Sequence, residues 1–131
     1  MTKTGDRSRF TPEGWPAVTP RMMAHEPEAL VAFIKQVFDA TGDYRSDIPA
    51  VLRIGDSIVM VSDASAREPA TAFLYVYVAG ADATYERAIA AGAVSLEAPQ
   101  NMPYGDRRGM VRDPWGNIWQ IATYLGGSDA R

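Results

Sequence analysis

The sequence predicts a single α+β domain made of two similar halves, and three observations carry that prediction. The chain has 131 residues, 47% hydrophobic and 22% charged, which suits one globular domain able to bury roughly two-thirds of its unfolded surface. Two amphipathic helical stretches are each preceded by a short extended run and followed by runs rich in Val, Ile and Tyr, giving the order strand, helix, strands twice over. Thr19 and Glu28 of the first half match Phe73 and Asp82 of the second at one common offset.

Residues 1–16 are polar, with scattered Gly, Pro and Arg and no apolar periodicity, so a flexible arm is expected there, with Phe10 and Trp15 as candidate anchors. The compact body then covers residues 17–125, divided into halves of about 17–66 and 67–125, and residues 126–131 form a tail. An extended run from Val18 to Ala24 leads to Glu26-Pro27, where proline suits the first helical position because its missing N–H has no partner to lose. Leu30, Phe33, Ile34, Val37 and Phe38 make one apolar helical stripe, and the helix is expected to stop near Gly42. Ile48–Ile54 and Ser57–Ser62 flank Gly55-Asp56, a pair suited to the positive φ of a hairpin turn, and predict two antiparallel strands.

The second half opens with a strand over Ala70–Ala79, in which Phe73, Tyr75 and Tyr77 alternate with Leu74, Val76 and Val78. Asp82 begins a helix with an acidic first turn, Tyr85, Ala88 and Ile89 face the core, and Gly92 stops it. After Val94–Leu96 comes an expected irregular loop holding Pro99, Pro103 and Gly105. Arg107–Arg112, the turn Asp113-Pro114-Trp115-Gly116-Asn117 and a last strand Ile118–Tyr124 complete the chain. With one helix stripe on one side of each sheet, two curved sheets can enclose a cavity on the other.

Composition excludes several function classes. With no cysteine, the chain has no disulfide, thiol nucleophile or thiolate ligand. The net charge of −3 and the absence of a Lys/Arg block argue against nucleic acid as a partner. No run approaches the roughly 20 apolar residues of a membrane span, and the N-terminal stretch lacks a secretory apolar core, so a cytoplasmic location without membrane contact is expected. A phosphate-cradling Gly-x-x-x-x-Gly-Lys, a Gly-x-Gly-x-x-Gly after a strand and a plausible Ser-His-Asp set are all missing. A tyrosine as acid or Glu97 as base remains open, but no spacing sets either beside a reactive centre.

Arg53-Ile54-Gly55-Asp56-Ser57, Pro103-Tyr104-Gly105-Asp106-Arg107-Arg108 and Arg112-Asp113-Pro114-Trp115-Gly116-Asn117-Ile118-Trp119, in this order around two helices, resemble the vicinal oxygen chelate superfamily, which includes glyoxalase, bleomycin resistance proteins and dioxygenases, in its PhnB-type branch. The likeness spans roughly Val18 to Tyr124. It implies two βαβββ modules forming a curved mixed sheet around a pocket, in a chain that is usually a homodimer. In metal-using members, two histidines and two carboxylates converge on the ion from four strands. The matching positions here resemble Thr19, Val51, Phe73 and Gln120, none of which is an imidazole or carboxylate, so neither a metal nor any other cofactor is expected. The only histidine, His25, falls beyond the first strand at the helix entrance, away from the inward-facing position.

If these four positions face the pocket, strand alternation adds Arg21, Met23, Arg53, Tyr75, Tyr77 and Ile118 to the same side, and turns Leu74, Val76, Trp119 and Ile121 toward the helices. The candidate ligand pocket is therefore Thr19, Arg21, Val51, Arg53, Phe73, Tyr75, Tyr77 and Gln120. Arginines beside tyrosines suit an aromatic or anionic small molecule, through a guanidinium fork and ring stacking. Solvated or ion-paired arginines and space-filling tyrosines are the competing reading. Asp106, Arg107 and Arg108 are expected as solvated turn residues or a dimer rim.

The leading expectation is a metal-free protein that binds or sequesters a small molecule, similar to the drug-sequestering members of the superfamily. Bleomycin, a cationic glycopeptide, calls for an acidic groove, whereas the residues placed inside are basic or neutral. Two alternatives stand beside it. One is a metal-dependent lyase, isomerase or dioxygenase with ligands among His25, Glu26, Glu28 and Asp56, which requires a register shift against the alternation. The other is a structural or interaction subunit working through its N-terminal arm.

Overall fold

Strand β1, Arg21–Ala24, leads into helix α1, Pro27–Phe38, in a computed structural model that describes residues 10–66 and 68–126. Strands β2, Ala50–Ile54, and β3, Ser57–Asp63, follow, with a short 3-10 turn at Ala64–Ala66. The second half contains β4, Phe73–Tyr77; α2, Ala81–Ala90; β5, Val94–Asn101; β6, Asp106–Arg112; and β7, Ile118–Tyr124. The expected arm and tail over 1–9 and 127–131 lie outside the described residues.

The first sheet has the order β1-β3-β2 and the second β4-β7-β6-β5. In each half the strand before the helix runs parallel to the last strand, the arrangement that a helical crossover requires. The two halves therefore share one topology, with a difference in the first. Its fourth position shrinks to a single antiparallel rung, in which Thr41 and Arg53 exchange backbone hydrogen bonds of 3.1 and 2.9 Å.

Pro27 does open α1, and the helix ends at Phe38, where Asp39 takes a left-handed conformation with φ 56°. Gly42 serves the next step: at φ +122° it presses against β2 so closely that a β-carbon would sit 2.3 Å from the Val51 carbonyl oxygen. Gly55 and Asp56 form the two-residue turn that closes the Ile54–Ser57 pair, with Gly55 at φ +59°. β1 starts three residues later than the sequence suggests. Pro20 supplies its carbonyl to Met60 N but has no N–H to give β3, so the ladder begins at Arg21.

The segment around Pro99, expected as a loop, is strand. β5 runs from Val94 to Asn101 at the outer edge, with register shifts on both sides of Glu97, and an edge with bulges tolerates a proline. The turn after β6 is tied by one carboxylate. Asp113 accepts from Trp115 N, Asn117 N, Asn117 Nδ2 and Trp119 Nε1 at 2.8–3.0 Å, while Asn117 Oδ1 accepts from Ala72 N just before β4.

Alternation holds in both sheets. Met22, Leu52, Val61, Val111, Trp119 and Ile121 are fully buried beneath the helices, together with Leu30 and Ile34 of α1. Each such side chain contributes about 1.5–3 kcal/mol of burial. The halves meet through their helices: Phe38 packs on Trp119 with ring centroids 4.8 Å apart, and Arg87 of α2 donates from Nε and Nη2 to the Val37 carbonyl at the end of α1. This contact satisfies an otherwise orphaned helix carbonyl. The sheet faces opposite the helices are left to form a site.

Candidate functional site

The face of the second sheet away from the helices is built in rungs. Tyr75 pairs with Gln120 and Gln120 with Met110; Tyr77 pairs with Ala122 and Ala122 with Arg108; Tyr124 pairs with Asp106. Paired residues share a face, so one surface carries Phe73, Tyr75, Tyr77, Gln120, Asp106 and Arg108. Phe73, at the start of the edge strand β4, is 64% exposed.

Asp106 is the centre of this face. It is completely buried, and its Oδ2 accepts hydrogen bonds from Tyr75 Oη at 2.5 Å and Tyr77 Oη at 2.9 Å. The two rings lie 5.4 Å apart at 58°. Burial, and then the hydrogen bond to Asp106, raise the Tyr75 hydroxyl well above the ordinary tyrosine range, so it remains a neutral donor. One rung away, Arg108 is nine-tenths buried and bonded to Glu97 of β5. Arg107, with opposite parity, leaves this face and pairs with Asp82 of α2 at 2.7 and 3.1 Å, which holds the Asp82 carboxyl below its usual range.

Asp106 and Arg108 are thus buried in this sheet face, where the sequence suggested solvated turn residues or a dimer rim. Alternation back from Gln120 and its rung partner Met110 reaches both, but only once β6 is known to begin at Asp106.

The eight residues expected in a pocket divide between the sheets. Phe73, Tyr75, Tyr77 and Gln120 share the second sheet's open face. Thr19 is half-buried just ahead of β1, and Val51 is half-buried opposite Met60. Arg53 lies opposite Ile58 with its guanidinium against Gly14, where a β-carbon would be 3.4 Å from Nη2. Arg21 donates from Nε to Ser62 Oγ at 2.8 Å and borders a separate hollow of about 190 Å³ beside Tyr44 and Pro49.

A larger cleft of about 460 Å³ opens between the sheets. One wall is β4 from Leu74 to Tyr77; the other is the β2–β3 hairpin from Ile54 to Val59 together with Pro16, Val18 and Pro20. Of the eight expected residues, Tyr75 and Tyr77 line it. The N-terminal arm, over its described part, forms part of this wall, and a turn from Pro12 to Trp15 precedes it.

The metal site implied by the resemblance does not fit these residues. Thr19, Val51, Phe73 and Gln120 offer one hydroxyl and one neutral amide, and His25 is exposed at the helix entrance. Among the described residues, no three His, Cys, Asp or Glu side chains cluster in a way that could hold an ion.

Two sheets flanked by two helices, with a cleft between β4 and the β2–β3 hairpin, define an α+β protein of the glyoxalase/bleomycin-resistance fold. The family model described as Glyoxalase/Bleomycin resistance protein/Dioxygenase superfamily matches residues 17–121, and the chain belongs to that superfamily. An uncharacterized protein of Mycobacterium bovis is 29% identical over 126 residues, covering 81% of this chain and 82% of its own. Among solved structures, TioX from Micromonospora aligns with a TM-score of 0.70 and 26% identity over 84% of this chain and 99% of TioX. A glyoxalase/bleomycin resistance protein/dioxygenase family enzyme from Burkholderia phytofirmans gives a TM-score of 0.72 and 25% identity, covering 82% and 97%. No helix among the described residues is long and apolar enough to cross a membrane.

Proposed function

We propose that this protein binds a small molecule in the cleft between its sheets and does so without a metal ion. The observation that carries the reading is the cleft itself: about 460 Å³, apolar along Leu74 and Val76, with the tyrosine pair on the same wall. Its size and lining are those of a small-molecule site. The donor chemistry at Thr19, Val51, Phe73 and Gln120 supports a site that works by shape and ring contact rather than by Lewis-acid chemistry. Of the expected aromatic or anionic ligand, the aromatic part rests on Tyr75 and Tyr77. The anionic part rested on Arg21 and Arg53, and neither lines the cleft.

A homodimer in the cytoplasm belongs to the same reading. Phe73, Tyr124 and Leu125 expose large apolar surface on or beside the second sheet, and a second copy would cover it.

Metal content of protein purified without an affinity tag, followed by calorimetric titration with Zn²⁺, Ni²⁺, Mn²⁺ and Fe²⁺, tests the metal-free reading. Trace metal and no saturable heat are expected. Tight binding at one ion per chain would overturn it in favour of a metalloenzyme.

A further inference from the structure

We propose that the cleft between the sheets selects a small organic cation, an amine carried on an aromatic or otherwise apolar body, an assignment that rests on the small-molecule reading and adds the sign of the ligand's charge. The cleft is apolar along Val18, Ile54, Ile58 and Leu74. Its ionisable lining side chains are Asp56 and the two tyrosines; no Lys, Arg or His lines it among the described residues.

The tyrosines are oriented by one buried acidic side chain. Each has one hydroxyl proton, and Tyr75 and Tyr77 both direct theirs to Oδ2 of the buried Asp106. Those protons are committed to a carboxylate and are not offered to an anionic ligand. Both tyrosines line the cleft, their rings 5.4 Å apart between centroids at a 58° tilt, and Asp56 lines it from the hairpin tip. Ring faces and carboxylates both attract a cation, and two inclined rings form part of an aromatic cage.

The neighbouring guanidiniums do not line the cleft. Arg108 is bonded to Glu97, and Arg21 to Ser62 beside the other hollow. Arg53, the nearest cation in the strand register, sits beside Ile58 with its head against Gly14. The lining of the cleft favours the opposite charge from the one that Arg21 and Arg53 suggested. An ammonium group near Tyr77 and Asp56, with its apolar body along Leu74 and Val18, satisfies the lining.

Three probes of one shape test the sign: 4-phenylbutylamine, 4-phenylbutanol and 4-phenylbutyrate, titrated calorimetrically into the full chain at neutral pH and low salt. The amine is expected to bind about tenfold or more tighter than the carboxylate, with the alcohol between them. Asp56→Asn, at an exposed turn where the amide oxygen still accepts from Ser57, is expected to weaken the amine severalfold and leave the alcohol unchanged. Tyr77→Leu removes the ring and serves as a second variant if the first is ill-behaved; it too is expected to weaken the amine. Equal or tighter binding of the carboxylate overturns the cation assignment and leaves the small-molecule reading standing. An amine preference untouched by both variants overturns the assignment to this cleft, and failure of all three probes to bind overturns both readings.

Discussion

Tyr75 and Asp106, 31 residues apart, are joined by a 2.5 Å hydrogen bond that fixes an exposed aromatic ring to a fully buried carboxylate. Tyr77 makes a second bond to the same oxygen at 2.9 Å. A buried carboxylate is costly without donors, so the two tyrosines are held by the stability of the sheet as well as by any ligand. Tyr75→Phe is expected to cost about 1.5 kcal/mol in urea unfolding, and Tyr77→Phe somewhat less. The double variant should lose more than the sum, because each single variant leaves one donor in place. Additive losses would show that the carboxylate does not depend on the pair.

The same bond sets a pH dependence. Burial and Asp106 raise the Tyr75 hydroxyl above its unfolded value, and the charged form of tyrosine is the deprotonated one. Its stabilisation is therefore fully present below about pH 10 and is lost as pH rises toward the folded value. Near-ultraviolet titration is expected to show the same number of ionising tyrosines in folded wild-type and Tyr75→Phe protein, since Tyr75 ionises only once the chain unfolds. A smaller amplitude in the variant would show that Tyr75 titrates in the folded state.

Asp113 ties the β6–β7 turn to the core through Trp119 Nε1, two backbone N–H groups and the Asn117 amide. Asp113→Ala strands these donors in a buried place and is expected to cost about 3 kcal/mol or more, seen as a lowered denaturation midpoint. Asp113→Asn keeps one acceptor oxygen and should cost less. Equal losses would mean that side-chain volume, not hydrogen bonding, sets the effect.

Gly42 and Gly55 both have positive φ, but only one is crowded. Gly42→Ala puts a β-carbon 2.3 Å from the Val51 carbonyl oxygen and should cost about 3 kcal/mol, whereas Gly55→Ala meets nothing within 4 Å and should cost about 1 kcal/mol. Comparable losses in thermal unfolding would show that backbone strain alone governs both positions.

Periodicity made the helices and most of the strands legible, because one buried face per element writes a 3.6- or 2-residue pattern into the chain. The stripe Leu30–Phe38 and the alternation Phe73–Tyr77 read correctly for that reason. The pattern is weak where an element is an edge. β5 carries Pro99 and two bulges, and the first half's fourth position is only the Thr41–Arg53 rung. Neither leaves a signal that local sequence can show.

By itself, the sequence determined an α+β fold with a duplicated strand–helix–strands order and the sidedness of its strands. Only the tertiary structure decided which residues come together. Strand pairing is non-local, so it took the register of β6 on β7 and β7 on β4 to bring Asp106 under Tyr75 and Tyr77. It also took the packing of α1 on α2 to set two sheets around one cleft and leave Arg21 and Arg53 out of its lining.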